Sequence, residues 1–194
     1  MILLIDDLER IVEEKMSMVK GTAHSYEHAS RVLKIATFLA KLEKANLELV
    51  QLGALLHDVG RGVGEPHNET GAELADTILD EMNYPQERKE KVVKIVFNHR
   101  FSFRNRLETL EQRIVWDADK IDLLGIIGIA REFHFGGEIG KSFEKIARIC
   151  LETSETIYNQ LNTVTAKKLA KKRYELRQAS LYALENELAC ADLE

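Results

Sequence analysis

The sequence predicts an all-α fold. Three observations carry that prediction. Apolar residues recur at steps of three and four along most of the chain, the alternation a half-buried strand needs is nowhere sustained, and the turn signals Gly21, Gly60, Pro66 and Pro85 fall at the ends of periodic stretches. At 194 residues, with 45% hydrophobic and 30% charged residues, the chain suits one core of ordinary soluble character. No Gly/Ser-rich linker, internal repeat or low-complexity tract marks a second domain, so residues 1–194 are expected to form a single domain.

Taken in order, Leu4, Leu8, Ile11, Val12 and Val19 predict a covering helix over 4–20, stopped at Gly21. In residues 24–44, His28, Val32, Ile35 and Leu39 are spaced by four, three and four, so His28 lies on the buried face and His24 one turn earlier. A third helix spans 46–59, with Asn46 as its N-cap and the apolar Leu52, Leu55 and Leu56 running into His57-Asp58 before Gly60. His67 precedes a helix that buries Ala72, Ala75, Leu79 and Met82. Pro85 opens another, whose face is Val92, Ile95, Val96 and His99.

The next stretch, FSFRNR at 101–106, is short, basic and aromatic, either a surface loop or a lid over an anionic ligand. From Glu108, the positions Leu110, Ile114, Asp117, Ile121, Leu124 and Gly128 repeat at 4-3-4-3-4, which sets Asp117 in the middle of an apolar face. At ~100° per residue, Asp119 and Asp122 fall on the other side of that helix. Residues 138–162 and 164–190 complete the chain as two helices. The last carries Lys167, Lys168, Lys171, Lys172 and Arg173 on a solvated face and turns Leu169, Tyr174 and Leu181 inward.

Several function classes are disfavoured by composition. A net charge of −5 gives no global nucleic-acid footprint. Met1–Ile5 is cut off by Asp6 and Asp7, and Leu123–Ala130 is far short of the ~20 apolar residues of a membrane span. Cys150 and Cys190 have no metal or redox spacing and are expected to be reduced. The expected setting is cytoplasmic, with neither membrane nor nucleic acid as partner and a homodimer left open.

His28, His57, Asp58 and Asp117 are thus inward-facing groups from three helices. Each singly has a bland reading as a satisfied core residue, and Asp117 one as the partner of a buried Arg or Lys. Together they make an N₂O₂ set of the type that holds Mn²⁺, Fe²⁺, Co²⁺ or Mg²⁺, because charge away from water must be paired or metal-bound.

The ordered pattern His28, His57-Asp58, Asp117 resembles the HD superfamily of metal-dependent phosphohydrolases, which are all-helical. The phrases HSYEHASRV, ALLHDVGR, HNETGAELA, NHRFSF, WDADKIDLLGIIGIAREFHFGG and TVTAKKLAKKR, between about residues 23 and 175, look like one subgroup of small HD proteins. Some members of that subgroup are nucleotide or deoxynucleoside-triphosphate pyrophosphohydrolases.

The resemblance implies His28, His57, Asp58 and Asp117 as ligands of one divalent ion (Mn, Fe, Co, Ni or Mg) and His24 as a residue facing substrate phosphate. It sets His67 and His99 where two-metal members carry extra histidines. One ion is preferred here, with a second left open and these two histidines near the phosphates. Arg61 departs from the family, whose other branches carry Glu or Lys at that position. It cannot act as a general base because its guanidinium keeps its proton, but it can neutralise phosphate charge.

Arg31, Arg61, Arg100, Arg104, Arg106, Lys120 and Arg131 are the local cations for an anionic substrate. Arg31 and Lys120 are preferred among them for flanking the ligand positions. A divalent ion would lower the pKa of its water from 15.7 towards ~7, with Asp58 or Glu65 as proton acceptor. The expected activity is hydrolysis of a small phosphorylated molecule, most readily a nucleotide. A non-catalytic metal and nucleotide sensor is one alternative; a di-iron oxygenase using His28, His57, Asp58, His67, His99 and Asp117 is another.

Overall fold

A computed structural model describes residues 2–17 and 24–193. Among the described residues every regular element is helical, and they fall into two units, 2–17 with 24–119, and 120–193. The first unit holds α1 (Ile2–Ser17), α2 (Tyr26–Glu43), α3 (Leu47–Leu56), a 3₁₀ turn at Val59–Gly62, α4 (His67–Glu81), α5 (Gln86–Asn98), a second 3₁₀ turn at Phe101–Arg106, and α6 (Leu110–Leu123) as far as Asp119. The second holds the end of α6, α7 (Ile126–Glu138), α8 (Phe143–Gln160), α9 (Val164–Leu188) and a closing 3₁₀ turn at Ala191–Leu193. A division inside a helix leaves no mark in composition, and the sequence accordingly shows no linker. Of the N-terminal helix expected over 4–20, Val19 and Gly21 lie outside the described residues.

In the first unit α3 is central, packing against α1, α2 and α5. Its apolar run explains this. Leu49, Val50, Leu52, Gly53, Ala54, Leu55 and Leu56 are all buried, and each large aliphatic side chain stabilises the fold by about 1.5–3 kcal/mol. The Asn46 side chain accepts the Leu49 N–H at 3.2 Å and satisfies one of the orphan donors of the first turn, the cap expected from the sequence. α4 pairs with α5, and the Lys89 ammonium joins them by reaching Asp80 at 2.6 Å and Asp76 at 2.9 Å.

Two departures from the sequence expectation have local causes. α3 ends at Leu56, with His57 as its C-cap in right-handed helical geometry, so Gly60 does not terminate it. Gly60 instead sits where the 59–62 turn meets α4. A Cβ there would lie 2.4 Å from the Gly71 nitrogen and 2.5 Å from the His67 carbonyl oxygen, both backbone atoms that cannot yield. The second departure is in α6, whose apolar repeat runs on to Gly128 in the sequence. The helix breaks at Gly125 (φ +108°), a left-handed conformation that only glycine adopts without strain, and α7 starts afresh.

In the second unit α7, α8 and α9 pack on one another around Ile146, Cys150 and Leu181. Both cysteines are free thiols, Cys150 buried and Cys190 exposed. No described helix is long and apolar enough to cross a membrane.

Candidate metal centre

Five elements of the first unit bring titratable side chains to one interior place. α2 contributes His28, with His24 just before its start. The end of α3 contributes His57 and Asp58, α4 contributes His67 from its first position, α5 ends at His99, and α6 contributes Asp119. Among the described residues, three groups offer donors mutually within 4.8 Å: His24, His28 and Asp58; His28, His57 and Asp119; and Asp58, His67 and His99.

Asp58 is common to two of the groups, and its two oxygens face different neighbours. Oδ2 accepts from His24 Nδ1 at 2.9 Å and lies 3.8 Å from His28 Nε2 and 3.6 Å from His57 Nε2. Oδ1 accepts from Arg61 Nε at 3.1 Å and lies 3.4 Å from His99 Nε2 and 3.9 Å from His67 Nε2.

The histidines are oriented for ligation. His57 Nδ1 donates to the Ala54 carbonyl at 2.8 Å and His99 Nδ1 to the Val96 carbonyl. His67 Nδ1 donates to the Glu65 carboxylate at 3.0 Å. Each acceptor is an oxygen without a proton to give, so Nδ1 must carry the hydrogen and Nε2 is left with its lone pair turned inward. Metal-binding histidines are held in this way by carbonyls and carboxylates.

Donor spacing agrees with a shared cation. Neighbouring ligands of an ion bound at about 2.1 Å lie about 3 Å apart. His28 Nε2 is 3.2 Å from His57 Nε2 and 3.3 Å from Asp119 Oδ1.

Electrostatics point the same way. Burial lowers the His57 pKa to about 4, against the upward pull of Asp58 and Asp119, so the ring is neutral at pH 7. Burial also lowers the His67 pKa, helped by Arg61. Burial would raise the Asp58 carboxyl, but His57, the hydrogen bond from His24, and Arg61 outweigh it and hold it well below the usual carboxylate value. A neutral imidazole and an ionised carboxylate are the protonation states a divalent cation requires.

The α6 carboxylate that lies within donor distance of His28 and His57 is Asp119, whereas the sequence reading chose Asp117. Asp117 is fully buried but belongs to none of the three groups. The reason lies in α6 itself, which is buried without interruption from Ile114 to Ile121 and on to Asp122. Such a helix has no single inward face, and an apolar stripe cannot say which of its carboxylates meets the histidines.

The remaining candidates separate. Arg61 is on the centre. Arg100 is half-buried, its guanidinium donating to Asn68 Oδ1 at 3.1 Å. Arg31 is half-buried on α2, Lys120 is buried on α6 next to Asp119, and Arg104 lies in the 101–106 turn. Arg106 stacks on Phe103, 4.0 Å from the ring centroid. Arg131 is a buried salt-bridge residue, 2.9 Å from Asp122, which takes it from the list of phosphate-binding cations. Asn68, which sequence reasoning passed over, is buried and ties α4 to α5 through the Phe97 carbonyl at 3.2 Å.

The close approach at Gly60 is what lets α4 present His67 to Asp58. Gly60→Ala is expected to destabilise the fold by about 1–3 kcal/mol, the usual range for overpacking a tight contact, read as a lower midpoint in urea. An unchanged midpoint would show that the 59–62 turn can move away from α4.

Comparison with known proteins agrees with this arrangement. Residues 25–124 match the sequence model of the HD domain. Bacillus subtilis YpgQ is 27% identical over 90% of this chain and 89% of its own. The crystal structure of YpgQ in complex with ADP matches at a TM-score of 0.73 and 25% identity, covering 94% of this chain and 97% of that one. An HD-superfamily hydrolase of Bacillus thuringiensis matches at a TM-score of 0.76 and 26% identity, over 95% and 96% of the two chains. With over half of its length matched by that one family, and with the His57-Asp58 pair at the middle of its donor cluster, the chain belongs to the HD domain family.

Proposed function

We propose that the protein is a divalent-cation-dependent phosphohydrolase whose substrate is a small phosphorylated molecule, a nucleotide in the first instance. The observation that carries this is the buried meeting of Asp58, His28, His57 and Asp119, with the His57 tautomer and the His57 and Asp58 charge states suited to a cation. A divalent ion there supplies an acidified water and positive charge for a phosphoryl oxygen, which is the chemistry phosphate esters need.

The chain's own residues have separable tasks. His28, His57, Asp58 and Asp119 would hold the ion. His24 is held by Asp58 through Nδ1, and its side chain is 25% exposed, so it offers a partly open imidazole beside the cluster. That suits it to accept a proton or meet a phosphate better than Asp58, whose depressed pKa makes it a weak base. Arg61, Arg31 and Arg100 would offset phosphate charge, with His67 and His99 facing the same Asp58 oxygen as Arg61. The relation to YpgQ, crystallised with ADP, supports the nucleotide assignment.

The test is a screen of nucleoside mono-, di- and triphosphates and simple phosphate esters against chelator-stripped protein reloaded with Mn²⁺, Co²⁺, Ni²⁺ or Mg²⁺, with products identified. Cation-dependent release of phosphate or pyrophosphate from one nucleotide class is expected. Ligand binding without turnover on any substrate would make the protein a sensor instead. Two irons per chain and a mixed-valent optical band would make it an oxygenase.

A further inference from the structure

We propose that a cavity of about 220 Å³, lined by residues of α3, α5 and the start of α6, binds a small zwitterion with an aliphatic body, the chemistry of an aliphatic α-amino acid. All of its lining belongs to the first unit. None of that lining belongs to the metal centre: Leu49, Ile95 and Gln112 come one or two helical turns before His57, His99 and Asp119. The site is independent of the hydrolysis proposed above.

Size limits the ligand. The cavity exceeds the ~30 Å³ share of one water many times over and falls short of the ~300–1,000 Å³ of pockets for drug-sized molecules, so a nucleotide is too large for it. Leu49 and Ile95 are its buried apolar walls, against which an aliphatic group would lie.

Gln112 supplies a polar anchor. It is 3% exposed, and its side-chain oxygen accepts the Glu108 N–H at 2.9 Å while the Thr109 hydroxyl accepts its backbone N–H at 3.3 Å. The amide is thereby oriented, and its NH₂ group has no acceptor among the described residues. Buried donors are almost always paired, so this one calls for an acceptor from outside the protein. A carboxylate suits it, because the first turn of α6 adds the positive end of a helix dipole.

The charges around the cavity are of both signs. Lys91 is paired with Glu87 at 2.8 Å, and Glu111 accepts the Asn46 N–H at 3.0 Å. The exposed side chains of Lys94 and Glu108 have neither an ion pair nor a hydrogen bond among the described residues. One charge of each sign is thus left to a ligand. A plain anion would meet Glu108 and Glu111, and a plain cation Lys91 and Lys94. A zwitterion satisfies both, with its carboxylate at Lys94 and Gln112 and its ammonium at Glu108.

The experiment is calorimetric titration and saturation-transfer NMR on the full chain, stripped with chelator so that no ion can take up the amino acid. The probes are L-leucine, L-isoleucine and L-valine. Leucinamide, 4-methylpentanoate and glycine serve as controls that lack the carboxylate, the ammonium and the aliphatic body in turn. Saturable binding of at least one probe is expected, with a dissociation constant of about 1 mM or tighter, and each control should bind about tenfold or more weakly. Lys94→Ala and Glu108→Gln should each weaken the best probe by a similar factor. Gln112→Glu, which keeps the oxygen used by Glu108 and replaces the NH₂ group, should abolish binding. Asp119→Asn, at the metal centre, should leave it unchanged.

No saturable binding of any probe to wild type would overturn the site. So would affinity that is indifferent to Lys94→Ala and Glu108→Gln, or that falls with Asp119→Asn. Binding of 4-methylpentanoate or leucinamide as tight as that of the best probe would overturn the zwitterion. Should Gln112→Glu fail to fold by circular dichroism, the two exposed variants decide the question.

Discussion

Asp119→Asn is expected to lower divalent-cation affinity by ~100-fold or more, while Asp117→Asn keeps one ion per chain near wild-type affinity. The two carboxylates are two residues apart, both on α6 and both buried, so a general penalty for altering this helix would fall on both variants. Of the two, Asp119 is the one grouped with the His28 and His57 pair, its Oδ1 3.3 Å from His28 Nε2. Outer partners of metal ligands contribute ~10–100-fold to affinity. A ligand that also brings a negative charge contributes more, and each tenfold is about 1.4 kcal/mol. Asparagine keeps the shape of the side chain, so neither variant opens a cavity. Calorimetric titration with Mn²⁺ measures the affinities, and hydrolysis of the best nucleotide should fall with Asp119→Asn in parallel. The reverse ranking, with the ion lost in Asp117→Asn and kept in Asp119→Asn, would return the assignment to the apolar-stripe reading.

The difference between those two aspartates shows where the chain can be read from its sequence and where it cannot. α2 is half-exposed, so its stripe has a direction, and His28 is buried with Val32, Ile35 and Leu39 as the spacing requires. Asn46 caps α3, and Pro85 immediately precedes α5, because their effects are local to the backbone. His67 and His99 were legible as histidines near the phosphates and as the extra pair of two-metal relatives, but their shared approach to Asp58 depends on Gly60 letting α4 close in. That is a property of two backbones meeting and leaves only a glycine in the sequence. α6 is surrounded on all sides, and a periodic pattern loses its meaning there. The same limit hides α9, which reads as a solvated basic helix with a few inward apolar residues and carries its largest buried side chain as an arginine.

That arginine, Arg177, leads to the largest expected loss of stability. Its side chain is completely buried in the second unit, and every guanidinium nitrogen is used. Nε donates to Ser154 Oγ at 2.7 Å, Nη1 to the Leu123 carbonyl at 2.8 Å, and Nη2 to the Cys150 carbonyl at 3.2 Å and to the Glu132 carboxylate. The Leu123 carbonyl belongs to the end of α6, where the last-turn carbonyls have no intrahelical N–H donors, so Arg177 also serves as its cap. Arg177→Met retains most of the stem but takes the guanidinium from Glu132 and from the Leu123 carbonyl, while the Cys150 carbonyl keeps the Ser154 hydroxyl. Removing one partner of a buried ion pair costs about 3–5 kcal/mol, a large share of the total stability of a domain, about 5–15 kcal/mol. A fall of that size in the free energy of urea unfolding is expected. Because the penalty comes from the stranded charge, Arg177→Met/Glu132→Leu should recover a good part of it. A single variant within 1 kcal/mol of wild type would mean that Glu132, its side chain already 22% exposed, is solvated well enough to do without the guanidinium.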